Sequence, residues 1–147
     1  MDWKQEAIDK LRNYEARRAD MEVILRDLER LEAAYTGIRA ARLDGMPRSG
    51  SSASNREEDM VGSITRRDDL KRKLTEARLW VEIVEGGLSV LDDEERLALD
   101  YCYIHKVKGA INELCERLNV EQATVYRKRD IALRRFTIAL YGPLQGL

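Results

Sequence analysis

From Asp2 onwards, apolar residues recur at intervals of mostly three and four: Ile8, Leu11, Met21, Ile24, Leu25, Leu28, Leu31, Tyr35 and Ile38, with charged residues between them. In a helix of about 3.6 residues per turn this spacing brings the apolar side chains to one side, so it predicts a long amphipathic helix with Asp2 as its cap. The pattern stops at Asp44-Gly45-Met46-Pro47, where glycine permits a left-handed turn and proline disfavours helix in the residue before it. The polar run RSGSSASN, Arg48 to Asn55, follows, and residues 45–56 read as a linker. A second helix is predicted to begin at Ser54 or Asn55, because Ser54 with Glu57, and Asn55 with Glu58, each pair a capping oxygen with an acid three positions on. Its stripe is Ile64, Leu70, Leu74, Ala77, Val81, Val84 and Leu88, and Gly86-Gly87 is expected to end or bend it. Two such helices bury their stripes most simply as an antiparallel, coiled-coil-like hairpin, or by pairing with a second copy.

After Leu91 the pattern shortens. Asp92 to Arg96 reads as a new helix start, with Asp92 as cap, Glu95 closing a capping box and the extra acids suited to the positive end of the helix dipole. Leu97, Ala98, Tyr101, Ile104 and Cys102 supply its inner face, and a break is expected over Lys106 to Gly109. Ile111, Leu114, Cys115 and Leu118 are spaced for one buried side of a shorter helix, and Asn119-Val120 is its turn, since asparagine tolerates the left-handed conformation. The last helix should run from about Gln122 to Leu140, with Val125, Ala132, Leu133 and Phe136 inward. Lys128 and Arg129 fall where an apolar residue is expected, and their long stems can cover apolar surface while the charged heads reach outward. The expected fold is therefore all-α: a long helical hairpin over residues 1–88, then a helix-turn-helix domain over 89–147 whose recognition helix spans Gln122 to about Phe136.

Composition agrees with this and narrows the function. In 147 residues, 36% are charged and 6% aromatic, with two prolines and nine glycines, which favours charge-striped helices over sandwiches or barrels. The net charge of −1 hides an asymmetry: Glu121 to Phe136 holds five cations against two acids, whereas Asp92, Asp93, Glu94, Glu95 and Asp100 face only Arg96. DNA responds to the local field within a Debye length of roughly 8–10 Å, so near-neutrality of the whole does not exclude a nucleic-acid surface. Catalysis is not expected, since the chain has no glycine-rich phosphate loop, no G-x-S-x-G and no metal-ligand cluster. No cofactor or metal is expected either. Cys102 and Cys115 read as small core residues, His105 as a helix-end or surface residue, and Trp3 and Trp80 as packing anchors. No apolar run is long enough to span a bilayer, and the start MDWKQEAIDK is unlike a signal peptide, so a cytoplasmic setting is expected.

The stretch from Leu91 through Glu95-Arg96 and Tyr103-Ile104, with Glu113, Leu118, Val120, Thr124-Val125-Tyr126-Arg127 and Ala132-Leu133, resembles the fourth-region helix-turn-helix of sigma factors. More closely it resembles small phage-encoded transcriptional regulators of the ArpU and RinA type. The resemblance covers the final third strongly and the upstream half loosely, through the long helical segment and Gly45-Met46-Pro47. It departs at Leu114-Cys115 where Ile-Ala is usual, at Asn119 where glycine is common, and at Glu121 where a serine normally caps the recognition helix. It implies a phage or prophage protein that binds a promoter and controls late or packaging genes, with host RNA polymerase as a further partner.

The recognition-helix chemistry suits double-stranded DNA. Gln122 can pair bidentately with adenine and Arg127 with guanine, Ala123 or the Thr124 methyl can touch thymine, and Tyr126 shares their side of the helix. Lys128, Arg129, Arg134 and Arg135 are the expected phosphate contacts. Residues 1–88 are the expected dimerisation or partner-binding arm. Two other readings use the same elements: a small-terminase-like DNA-packaging protein, and a helical adaptor or anti-sigma-like module that does not touch DNA.

Overall fold

The computed structural model describes the backbone of residues 2–43 and 52–143 and, within these, the side chains of all but 38–43, 52–57 and 59. The described residues fold into helices without strands, so the chain is all-α: α1 Trp3–Leu43, α2 Ser52–Ser89, α3 Asp93–Leu99 running into a π-helical turn Asp100–Ile104, α4 Ala110–Leu118 and α5 Gln122–Tyr141. None of these helices is long and apolar enough to cross a membrane.

The start of α1 has a local cause. Asp2 Oδ1 accepts from the backbone N–H groups of Lys4 and Gln5, both at 3.1 Å, satisfying two first-turn donors of α1. α2 starts at Ser52, two residues before Ser54, so part of the expected polar linker is helical; first-turn positions tolerate serine because their N–H groups have no intrahelical partner in any case. The Asp44–Pro47 turn lies outside the described residues, as do the side chains of Ser54, Asn55 and Glu57. α2 does not end at Gly86-Gly87 but continues to Ser89. Gly87 is where α5 comes closest. A Cβ on it would lie 2.8 Å from Phe136 Cε2 and 3.1 Å from Leu140 Cδ2, so the absent side chain is a packing requirement rather than a stop signal.

Two compact units result, residues 1–18 with 79–147, and residues 19–78. This division differs from one at residue 88, because the beginning of α1 and the end of α2 share a core with the C-terminal helices. In the first unit Ala7, Leu11 and Tyr14 of α1 and Val81 and Val84 of α2 are buried with Leu91, Leu99, Ala132, Leu133 and Phe136. α1 and α2 run antiparallel here: the Tyr14 hydroxyl donates to Glu85 Oε1 at 2.6 Å, and the Arg17 guanidinium lies 5.3 Å from the Trp80 ring. Burial, then the hydrogen bond and negative charge of Glu85, push the Tyr14 phenol up to about 12. Trp3 packs on Tyr141 with ring centroids 4.8 Å apart.

The second unit is the middle of α1 and α2. Leu28 and Leu74 are its buried apolar residues, and Met21, Ile24, Leu31, Tyr35, Ile64 and Leu70 are half-buried. Arg67 of α2 lies 5.1 Å from the Tyr35 ring of α1. Leu25, expected in the stripe, is exposed, as are Val23 and Val61, so the buried seam is narrower than the sequence period implies.

Candidate nucleic-acid interface

The C-terminal helices are set by their ends. Asp92 Oδ1 accepts from Glu95 N–H at 2.8 Å and Glu95 Oε1 accepts from Asp92 N–H at 3.2 Å, the reciprocal capping box expected from the sequence. The bond from the Glu95 backbone, aided by Lys128 and Arg135, holds the Asp92 carboxyl below its ordinary range. α3 then widens into the π-helical turn, closed by His105 N–H to Asp100 O at 2.8 Å. That turn divides four half-buried side chains between two cores: Tyr103 and Ile104 reach the core with Phe136, while Tyr101 and Cys102 reach a second one. His105 is exposed, pairs with Asp100, and places Nε2 3.5 Å from Glu15 Oε1 of α1.

The break at Lys106 to Gly109 is present, with Gly109 at φ 68°, where glycine carries no Cβ penalty. α4 ends at Asn119, φ 55°, and Val120 N–H bonds back to Cys115 O at 3.1 Å before α5 begins. Ala98 of α3, Leu114 of α4 and Val125 of α5 form the second core, surrounded by Leu97, Tyr101, Cys102, Ile111, Cys115, Leu118 and Val120. α4 and α5 are thus joined by a three-residue turn over one apolar nucleus. Both cysteines are free and half-buried, and burial raises the Cys102 thiol against the opposing pull of Arg129.

α5 is locked by one side. Val125, Ala132, Leu133, Phe136 and Thr137 are buried, and the Thr137 hydroxyl donates to Leu133 O at 2.6 Å. The other side presents Ala123, Arg127, Ile131 and Arg134, spaced as neighbours along one helical face and all exposed. Among the described residues the side chains of Arg127 and Arg134 make no hydrogen bond or ion pair. The remaining candidates for base contact are held by neighbours: Gln122 Nε2 donates to Asn112 Oδ1 of α4 at 3.1 Å, Thr124 is half-buried, and Tyr126, 43% exposed on the flank of the face, has the Arg129 guanidinium 5.0 Å from its ring. Glu121, at the N-cap, makes no side-chain bond to the first turn.

The four expected phosphate contacts divide. Arg134 is free, whereas Arg129 is half-buried and bonds the Asp130 carboxylate at 3.2 Å. Lys128 pairs with Glu94, and Arg135 pairs with Glu95 while donating to Val90 O at 2.8 Å. Lys128 and Arg129 are both half-buried, and both heads find carboxylates. In sequence, Glu94 and Glu95 show only a capping and helix-dipole role. The acidic run opposite a cationic run was the available signal, but which acid meets which cation depends on how α3 packs on α5.

No protein-family model matches the chain, and no curated protein or solved structure matches it.

Proposed function

We propose that this protein is a sequence-specific double-stranded DNA-binding regulator of transcription, of the phage-encoded ArpU and RinA kind, with α4 and α5 as its helix-turn-helix. The observation that supports the reading best is the outward face of α5. It carries an unpaired Arg127 in the second turn, on a helix fixed from behind by Val125, Leu133 and Phe136. A helix anchored in this way can enter a major groove, about 12 Å wide, without reorganising its own domain.

In this reading Arg127 pairs with guanine and Ala123 touches a thymine methyl. Gln122 reads adenine from a position steadied by Asn112, with Thr124 and Tyr126 beside them. Arg134 supplies a backbone contact. Residues 1–88 engage a second copy or another protein, host RNA polymerase among the partners, in a bacterial cytoplasm.

Selection from a pool of random duplexes by the full chain tests this. A short enriched motif, bound more tightly than scrambled duplex at the same salt, is expected. No enrichment, with binding absent even at low salt, would favour the adaptor reading, and large rings by mass measurement would favour DNA packaging.

A further inference from the structure

Resting on the DNA-binding reading, the ion pairs on the flank of α5 assign a role to a residue of α3. The first-turn acids of α3 take two cations of α5, Glu94 pairing with Lys128 and Glu95 with Arg135. The two pairs differ in kind. The Glu95 side chain is 7% exposed, also accepts from Asp92 N–H, and faces a guanidinium that donates to Val90 O. That pair is part of the architecture. The Glu94 side chain is 51% exposed, and Lys128 is its hydrogen-bonding partner.

An exposed pair of this sort adds little to stability, so the fold does not need it. Its larger effect is on charge. Lys128 follows Arg127 on the groove-entering half of α5, on the flank where a duplex backbone would run, and an ammonium bonds a carboxylate or a phosphate by the same charge-assisted contact. A carboxylate fixed on that flank both occupies the cation and repels phosphates within about 8–10 Å.

We propose that Glu94 is an intramolecular competitor for Lys128: it withholds that cation from the DNA backbone and so lowers the sequence-independent part of the affinity. Glu94 reaches no base, and its influence therefore extends to every duplex alike. Asp93, its neighbour, pairs with Arg96 at 2.6 Å within α3 and does not engage α5.

The test is the salt dependence of binding to a random-sequence duplex, measured by fluorescence anisotropy with the full chain and its Glu94→Gln, Lys128→Ala, doubly substituted and Asp93→Asn variants, each checked for helicity. One extra neutralised phosphate adds about 0.9 to the slope of log affinity against log salt. Glu94→Gln should steepen the slope by that amount and tighten binding at low salt. Lys128→Ala and Asp93→Asn should keep the wild-type slope, and the double variant should return to it. An unchanged slope in Glu94→Gln, a loss of about 0.9 in Lys128→Ala alone, or equal steepening in Asp93→Asn would overturn the proposal while leaving DNA binding intact. Absence of salt-dependent binding by the folded wild type would remove both the proposal and the reading beneath it.

Discussion

The helices after Leu91 and the middle stretches of α1 and α2 draw on much the same residue types, yet they are held in different ways. In the first region each helix has an identifiable end: the Asp92 capping box, left-handed Gly109 and Asn119, and Gly142 after α5. Leu99, Leu114, Val125 and Phe136 are at most 1% exposed there. In residues 19–78 only Leu28 and Leu74 are buried among the described residues, and most neighbouring apolar side chains keep partial contact with water. Repeating an apolar residue every three or four positions is enough to make a helix amphipathic. Closing a core takes three or more faces meeting, with each helix stopped where the next must cross it.

The largest expected contrast is between equivalent truncations in the two regions. Leu114→Ala should cost about 3–5 kcal/mol by chemical denaturation, since its cavity would be sealed by Ala98 and Val125, whereas Leu28→Ala should cost no more than about 2 kcal/mol because half-exposed neighbours can collapse or admit water. Equal costs would show that the middle of α1 and α2 is as tightly enclosed as the C-terminal helices.

A smaller effect of opposite sign separates adjacent glycines. Gly87→Ala forces a methyl against Phe136 and Leu140 and should lose about 1–2 kcal/mol even after the gain in helix propensity. Gly86→Ala meets nothing within 4 Å and should gain about 0.5–1 kcal/mol. Thermal midpoints moving the same way in both variants would contradict the close approach of α5 to α2.

Removing the capping oxygen with Asp92→Ala should cost about 1 kcal/mol, and hydrogen exchange should show faster opening at the amides of Glu95 and Arg96 than in α4. A last effect concerns pH. The fold raises the Tyr14 phenol from 10.0 to about 12, so it favours the neutral form; that contribution is complete below pH 10 and is lost as pH rises towards 12. Denaturation midpoints of the wild type should fall more steeply over that interval than those of Tyr14→Phe. Parallel profiles would mean that the Glu85 bond does not persist in solution.

Local signals made the C-terminal elements readable. Asp92 with Glu95, Lys106 to Gly109, and Asn119 each act within a few residues, and each stands where the spacing put it. The inward residues of α5 were equally plain because Val125, Ala132, Leu133 and Phe136 keep one helical face. Gly87 shows the converse: a glycine inside a helix is punctuation in sequence, and only the distant Phe136 reveals it as a contact. Leu99 was absent from the expected face of α3, and its burial depends on α1 and α2 helping to close that core. The same sharing explains why a cut at residue 88 would pass through one apolar cluster. On the candidate site, residue types suggested which cations could meet phosphate, but pairing with Glu94 and Glu95 is long-range and left Arg134 as the free one.

Binding of the wild type, Arg127→Ala and Arg134→Ala to a selected duplex and to a scrambled one at a fixed salt concentration tests the role of α5 most directly. Arg127→Ala should weaken the selected duplex by about 1–3 kcal/mol while barely changing the scrambled one, and Arg134→Ala should weaken both by the same factor. Equal losses on the two duplexes for both variants would contradict a base-reading helix.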